Sequence, residues 1–542
     1  MTRTLHRRPV ASRTAAGSGL SAEVVVVGGG PAATWAALGA AESGADVVLV
    51  DKGYCGTSGP TASGGTGVWC VEPEPAAREA AMASREGLGG YLADRRWMAR
   101  VLDQTYENMR RLAVEGRYPF PVVDGVQVRT GLQGPEYMRR MRAWVKRRGV
   151  RVLDHSPVLE LLVDGRGTVG GVAGWRRQER AAYRVRAGAV VIATGGCAFL
   201  SGALGTNVNT GDGALLAAEV GAYLSGMEFS NAYAIAPAFT SVTKTAYYNF
   251  ATFFHADGTP LAGAGSQRGR SVIAWALLRE TVLCQLDRAD PATQAAMRLG
   301  QPNFFLTFDR LGVNPFTDKF PVTLLLEGTV RGTGGIAVLD DDCATGVPGL
   351  YAAGDAATRE LICAGFTGGG SHNSAWAMSS GTWAGRAAAR FAAGLGRAAG
   401  DRRLRPAGGA GLRPTGRPGT GPGWREVLET LRAQVHPYDR NYLRHGARLA
   451  PALAALDAAW AGLRSGLAAT GDESVPARQA AAMLAHARWM YTAALARTET
   501  RGMHKREDFP QQDPDQQRRL AVGGLDEVWV ARQPSRVPAV AA

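Results

Sequence analysis

Cysteine is scarce in this chain and widely dispersed. The 542 residues include six cysteines, and no two of them stand in the CxxC or CxxxC spacing that iron–sulfur and zinc sites use. A framework of disulfides is also not expected from cysteines so far apart. We therefore predict no metal site in the chain itself.

Long apolar runs are absent as well. No segment approaches the roughly 20 apolar residues that a membrane-spanning helix needs, so we predict no integral membrane segment. Arg7 and Arg8 are not followed by the apolar stretch of an export signal. We accordingly expect a cytoplasmic protein whose first 22 residues form a disordered tail.

The chain is strongly basic, but its positive residues are not arranged as in a nucleic-acid-binding protein. The net charge is +14, and the arginines are scattered rather than arranged in stripes, so we expect no nucleic-acid partner. Two explanations stay open: a solvated arginine-rich surface, or attraction to an anionic substrate or an acidic partner. With 46% hydrophobic and 20% charged residues, the chain is typical of a soluble enzyme with several domains.

The most informative segment runs from Glu23 to Lys52. Four valines are followed by Gly28-Gly29-Gly30-Pro31-Ala32-Ala33, an alanine-rich stretch, a second apolar strand and then Asp51. Gly28 permits a tight turn, Gly30 lets the backbone approach a pyrophosphate, and Ala33 lets the helix pack on the sheet. Asp51 stands where a carboxylate binds an adenosine ribose. This pattern predicts a cofactor that contains ADP, either NAD or FAD.

Composition changes along the chain divide it into segments. An aromatic-rich region after Met227 interrupts the apolar strand pattern, which returns near Pro348, and a Gly/Pro/Arg-rich stretch precedes a helical end. The predicted segments are the tail (1–22), the first part of the cofactor domain (23–226), an inserted capping domain for substrate (227–345), the second part of the cofactor domain (346–393), a linker (394–423) and a C-terminal helical domain with its tail (424–542).

Several further runs, in order along the chain, carry a family resemblance. They are Thr61-Ala62-Ser63-Gly64-Gly65, Ala193-Thr194-Gly195-Gly196, Thr210-Gly211-Asp212-Gly213, Met227-Glu228-Phe229, Gly334-Gly335-Ile336, Gly349 to Asp355, and Arg497-Thr498-Glu499-Thr500-Arg501-Gly502-Met503-His504. Together with the first motif they resemble the succinate dehydrogenase/fumarate reductase flavoproteins, whose branches include L-aspartate oxidase and the adenylylsulfate reductase alpha subunit. The resemblance implies an α/β fold: a Rossmann-like FAD-binding domain with an inserted α+β capping domain and a C-terminal helical domain.

The resemblance also implies FAD rather than NAD. Glycine-rich runs near Gly64, Gly195 and Gly354 are suited to surround a flavin, whereas an NAD enzyme needs only the first motif. Many members attach FAD through a histidine, but this chain has Ser58-Gly59-Pro60-Thr61 there, which implies non-covalent FAD. The expected FAD-binding residues are Gly28, Gly30, Pro31, Ala32, Ala33, Asp51, Lys52, Ser58, Thr61, Gly64, Gly65, Val158, Ala193, Thr194, Gly195, Asp212, Gly354, Asp355, Asn373 and Ser374.

Three residues are the expected catalytic groups: Arg270, Arg331 and His372. Arg270 follows Gly269 where the dicarboxylate enzymes of the family carry their active-site arginine, although Ser271 replaces the aspartate that follows it there. The family's histidine before Gly334 is missing, and the run Gly365 to Ser374 replaces the Asn-Arg-Leu-Gly motif. A dicarboxylate substrate is therefore doubtful.

We expect an FAD-dependent oxidoreductase that transfers hydride between flavin N5 and a small anionic substrate. Without cluster ligands of its own, it would exchange electrons with a separate iron–sulfur or ferredoxin-like protein. Two alternatives stay open: an amino-acid oxidase similar to L-aspartate oxidase, and a flavin-holding electron-transfer subunit without a substrate site.

Overall fold

The computed structural model describes residues 19–243, 245–266, 269–366, 371–396 and 398–533. Most of the predicted tail lies outside these ranges. Its last part is not a tail, because Leu20–Ser21 forms strand β1 and pairs in parallel with Val185 and Arg186.

The first part of the predicted cofactor domain alternates short strands and helices. Its strands after β1 are β2 (Val24–Val27), β3 (Val47–Val50), β4 (Gly65–Gly67), β5 (Val122–Val123), β6 (Val126–Gln127), β7 (Gly131–Gln133), β8 (Arg151–Leu153), β9 (Val158–Val163), β10 (Val169–Arg176), β11 (Ala181–Arg186), β12 (Ala189–Ile192) and β13 (Leu224–Ser225). Its helices are α1 (Pro31–Glu42), α2 (Pro75–Leu88), α3 (Arg95–Val114), α4 (Gly134–Arg147) and α5 (Asp212–Ala218).

The remainder of the chain supplies the inserted region, the return to the first domain and the C-terminal helices. The strands are β14 (Ala232–Pro237), β15 (Thr252–Phe254), β16 (Leu283–Gln285), β17 (Phe320–Gly328), β18 (Gly335–Ile336), β19 (Leu350–Ala352), β20 (Arg405–Pro406), β21 (Leu520–Gly523) and β22 (Trp529–Arg532). The helices are α6 (Arg270–Leu277), α7 (Pro291–Gly300), α8 (Pro302–Leu311), α9 (Glu360–Cys363), α10 (His372–Leu395), α11 (Ala398–Asp401), α12 (Trp424–Val435), α13 (Tyr438–Asn441), α14 (Gly446–Gly466) and α15 (Ser474–Ala496).

A parallel sheet forms the centre of the first domain. Its strand order is β19-β12-β2-β3-β8, and every neighbouring pair runs parallel. All four residues of β2 are at most 4% exposed, as expected for strands covered on both faces. Burial of each such valine contributes roughly 1.5–3 kcal/mol. The predicted strand–turn–helix–strand unit and the late strand from Leu350 are confirmed.

Helices α1 and α10 pack against each other over this sheet at very short distance. A Cβ on Gly385 would lie 2.0 Å from the Ala36 carbonyl oxygen, and one on Gly381 would lie 2.4 Å from that of Ala32. Glycine is therefore required where the two helices touch, and α10 holds the start of α1 in place.

A second sheet, β1-β11-β10-β9-β20, corrects the prediction of a linker over 394–423. Arg405 pairs with Val163 in that sheet. The Gly409 N–H donates to Glu219 Oε1 at 2.7 Å. Residues 405–409 of this stretch are therefore fixed to the first domain.

The inserted region contains the antiparallel sheet β14-β17-β16-β15. An aromatic core of Phe304, Phe305, Phe308 and Phe320, each at most 2% exposed, supports it. The mixed α+β character expected for this region agrees with the structure.

The C-terminal region is held to the rest of the chain by buried charges. Arg497 pairs with Glu228 at 2.8 Å and with Glu499 at 2.7 Å. Arg501 pairs with Glu499 at 2.6 Å and also donates to the Gly90 carbonyl at 2.5 Å. Removing one partner of such a buried pair typically costs about 3–5 kcal/mol.

Glu360 lies near the same charges. It is fully buried, and the Ser225 hydroxyl donates to it. Burial, followed by the neighbouring charge of Glu228, raises the pKa of Glu360 to about 7.

Candidate active site

A cavity opens at the carboxyl edge of the central sheet. Its volume is about 1160 Å³ including the open mouth. Seventeen of the twenty expected cofactor residues line it: Gly28, Gly30, Pro31, Ala32, Asp51, Lys52, Ser58, Thr61, Val158, Ala193, Thr194, Gly195, Asp212, Gly354, Asp355, Asn373 and Ser374.

The turn between β2 and α1 is shaped for a close approach. Gly28 has φ +127° and a Cβ there would lie 2.2 Å from the Ala193 carbonyl oxygen. Gly30, which caps α1, has no protein atom within 4 Å of the position of a Cβ. No side chain caps this helix, so its first N–H groups and its dipole are available to a phosphate.

Asp51 is fixed at the end of β3. It is 6% exposed, accepts a hydrogen bond from Ser58 Oγ at 2.9 Å, and accepts another from the Gly53 N–H at 3.2 Å. Burial raises the pKa of Asp51. Donors such as ribose hydroxyls would stabilise its charged form.

Lys52 and Asp212 join two edges of the cavity. Lys52 Nζ lies 2.5 Å from Asp212 Oδ2 and 2.6 Å from Thr210 Oγ1. Because Asp212 is the first residue of α5, this ion pair fixes that helix against the end of β3.

At the opposite wall, Asp355 pairs with Arg359, which is 1% exposed. Asn373 Nδ2 donates to the Val330 carbonyl at 3.1 Å. The Ser374 hydroxyl donates to the Gly67 carbonyl and, at 2.8 Å, to that of Ser371.

Three expected residues do not line the cavity. Ala33 is a fully buried residue of α1, where it serves the packing that the motif requires. The Gly64 carbonyl accepts the Gly134 N–H at 3.0 Å, and Gly65 starts β4 and is exposed. Gly64 and Gly65 therefore shape the loop beside the cavity and are not part of its wall.

Other wall residues were missed by sequence reasoning. Two are polar: Asn209 and Thr66 line the cavity, and Asn209 Oδ1 and Thr66 Oγ1 are buried without a hydrogen-bond partner among the described residues. Each adjoins a quoted motif, which was the available signal. The remaining missed wall residues are Val27, Gly29, Val50, Gly59, Pro60, Met138, Pro157, Val208, Leu216, Val330 and Ala377.

Arg270 begins α6, but its side chain is not part of the cavity wall. Its guanidinium donates to the carbonyls of Tyr233 at 2.8 Å and Ser266 at 2.7 Å. Its Nε is buried and has no hydrogen-bond partner in the described ranges. Burial lowers the pKa of Arg270, with a smaller contribution in the same direction from Arg331.

Arg331 also lies just outside the wall. It follows the wall residue Val330, and its Nε lies 2.9 Å from Oε2 of Glu327. Glu327 is fully buried and was not singled out from the sequence.

His372 does not fit a catalytic role as an acid. It is 2% exposed and packs against Trp69 and Phe366, with ring centroids 5.1 and 5.9 Å away. Burial, followed by the charges of Arg85 and Arg359, lowers the pKa of His372 to about 3. The ring is therefore neutral at neutral pH and is not charged as a proton donor; its part in catalysis stays a prediction.

Comparison with known families gives two matches in the expected order. Residues 23–238 match the FAD dependent oxidoreductase family, and residues 442–529 match the fumarate reductase flavoprotein C-term family. Together they cover more than half of the chain. Both matches agree with the resemblance to the succinate dehydrogenase/fumarate reductase flavoproteins. The chain is an FAD-dependent oxidoreductase with FAD as its cofactor.

Individual relatives agree with this assignment. The L-aspartate oxidase of Streptomyces coelicolor is 28% identical over 551 residues, which are 94% of this chain and 93% of that protein. FrdA of E. coli quinol fumarate reductase has a TM-score of 0.78 at 19% identity and covers 96% of this chain and 98% of its own. Adenylylsulfate reductase from Archaeoglobus fulgidus has a TM-score of 0.72 at 15% identity, over 95% and 96% of the two chains. The two solved structures are similar in fold.

The cavity fits FAD in its chemistry. The open space at Gly30 and the uncapped start of α1 suit a pyrophosphate, and Asp51 suits a ribose. Among the helices that the structure describes, none is both long and apolar enough to span a bilayer.

Proposed function

We propose that this flavoprotein oxidises or reduces a small anionic substrate held by Arg270, and exchanges the electrons with a separate iron–sulfur or ferredoxin-like protein. When bound, FAD supplies the hydride acceptor or donor. The single observation that carries the proposal is the placement of Arg270, a partly buried guanidinium fixed at the start of α6 by two backbone carbonyls.

Arg270 would act in two ways. Its positive charge attracts the anion and stabilises negative charge that develops as hydride and proton move. Its lowered pKa makes the loss of a proton less costly than for an exposed arginine. Both effects require the side chain to be held in place, which the carbonyls of Tyr233 and Ser266 do.

Substitution at Arg270 tests the proposal. Arg270→Ala and Arg270→Lys should retain FAD but slow substrate-driven flavin reduction by about 100- to 1000-fold. Lysine keeps the positive charge, but it lacks the planar guanidinium that donates to the carbonyls of Tyr233 and Ser266 at once. The assay is anaerobic stopped-flow reduction against a panel of small metabolites, and the matched control is Arg279→Ala, an exposed arginine just beyond the end of α6. Equal, small effects at both positions would contradict the role of Arg270.

Non-covalent attachment of FAD is part of the same proposal. Ser58, Gly59 and Pro60 line the cavity where many relatives carry the linking histidine. None of these side chains offers a nucleophile of the imidazole type, so the cofactor would be held by contacts alone.

The proposed electron partner is a separate protein. Among the residues that the structure describes, no group of three or more histidine, cysteine or acidic side chains could hold a metal. The net charge of +14 would favour an acidic carrier through electrostatic steering.

One specific observation favours a second candidate, an L-aspartate oxidase activity. The Streptomyces coelicolor enzyme of that name matches nearly the full length of this chain. Turnover with L-aspartate and oxygen as the only substrates, at a rate equal to or above that with any carrier protein, would decide for this candidate.

A further inference from the structure

Glu327 occupies an irregular point of the inserted sheet. Where β14 pairs with β17, Tyr233 lies opposite Leu326 and Ala232 lies opposite Gly328, with a register shift between the two pairs. Glu327 is therefore the extra residue of a β-bulge. Bulges are frequent beside active sites, where they redirect a side chain.

The buried carboxylate of Glu327 is compensated by two neighbours. The Thr243 hydroxyl donates to Oε1 at 2.6 Å. Arg331 Nε lies 2.9 Å from Oε2, which pairs the two charges although the contact is not aligned as a hydrogen bond. Because an uncompensated buried charge is very costly, the positive charge of Arg331 is committed to Glu327.

Arg270 lies near the Glu327–Arg331 pair, at the same point of the sheet. Its Nη1 donates to the carbonyl of Tyr233, the residue opposite Leu326. Both Arg331 and Glu327 influence its pKa, so the three charges lie within electrostatic range. No carboxylate forms an ion pair with Arg270 in the part of the chain that the structure describes.

The group also adjoins the cofactor cavity. Val330 lines that cavity, and its N–H donates to the Glu327 carbonyl at 2.9 Å. Arg331 is the next residue. The three charges, two positive and one negative, thus have a net charge of +1 beside the cavity.

We propose that Glu327 sets the charge of the substrate. By neutralising Arg331, it leaves Arg270 as the uncompensated guanidinium among these three charges, and the site takes a small anion of one negative charge, such as a monocarboxylate, in preference to a dicarboxylate. This inference rests on the proposed function, since it assumes that Arg270 holds the substrate.

The test compares two four-carbon anions, butanoate with one charge and succinate with two. Their dissociation constants are measured on the FAD-loaded protein at constant ionic strength, from the change in flavin absorbance. The unaltered protein should bind butanoate at least as tightly as succinate. Glu327→Gln keeps the size of the side chain and releases the charge of Arg331, so it should raise the affinity for succinate relative to butanoate by about 10-fold or more.

A double variant separates charge from structure. Glu327→Gln with Arg331→Gln again leaves one uncompensated guanidinium, so the relative affinity should return to that of the unaltered protein. A purely structural role for Glu327 would not produce this return. FAD content, measured on each variant, checks that the fold is kept.

The possible results point in different directions. Tighter binding of succinate than of butanoate by the unaltered protein, or a ratio unmoved by Glu327→Gln, would overturn the role of Glu327 alone. If neither anion perturbs the flavin of any form, the proposed anionic substrate fails, and this inference fails with it.

Discussion

Substitution of Gly30 separates cofactor binding from folding. A Cβ at Gly30 would meet no protein atom within 4 Å, and the backbone there, with φ −83° and ψ −169°, is extended and open to any residue. Gly30→Val should therefore leave the FAD-free protein within about 1 kcal/mol of its original stability, since losing glycine also restricts the unfolded chain. The branched side chain would instead fill the space that the pyrophosphate needs.

The magnitude follows from ligand linkage. At a free FAD concentration of about 100 times Kd, binding adds roughly 2.7 kcal/mol to the stability of the protein. If the valine weakens binding by about 1000-fold, that contribution falls to about 0.06 kcal/mol at the same concentration. Urea unfolding with and without FAD, together with a fluorescence titration of FAD, measures both quantities.

Gly29→Ala is the matched control. A Cβ there would lie 2.0 Å from Asp51 Oδ2, so this change should destabilise the FAD-free protein itself. Unchanged FAD affinity in Gly30→Val, or a large loss of stability without FAD, would refute the reasoning about the turn.

Further predictions concern attachment, pH and the partner. Heat or acid denaturation should release FAD into the supernatant, and flavin that stays in the precipitate would show a covalent link. Because its raised pKa makes folded Glu360 hold a proton that the unfolded chain has lost, this group lowers stability as the pH rises from about 4.5 to about 7; urea midpoints should show this slope, and Glu360→Gln should remove it. Electron transfer to an acidic carrier should slow as salt increases, since exposed charges are screened beyond about 10 Å at 0.1 M; a rate indifferent to salt would argue against a steered encounter.

The local part of the cofactor site could be predicted from the sequence. Gly28, Gly30 and Asp51 lie within one strand–turn–helix–strand unit, so their spacing alone fixes their relation. The resemblance extended this prediction to distant runs such as the one that ends at Asp355. That these residues bind FAD stays a prediction, although the cavity brings them together.

Pairings between distant segments could not be predicted. Glu327 acquires its role from a bulge opposite β14, and no spacing within its own strand shows that. The stretch 394–423 is typical of a linker by composition, yet Arg405–Pro406 within it pairs with β9, a strand more than 200 residues earlier. His372 gave no sign in the sequence that its ring would be enclosed by Trp69 and Phe366.

The order of strands in the central sheet has a consequence for synthesis. The strand β2 lies between β3 and β12, and β12 in turn needs β19, which is made more than 300 residues after β2. The cavity wall is complete only when Ser374 and Ala377 have been made. At about 5–20 residues per second, this is roughly 20–70 s after Gly30 leaves the ribosome. A complete FAD-binding wall is therefore formed late in synthesis, and until β19 is made the outer edge of β12 has no partner strand in this sheet.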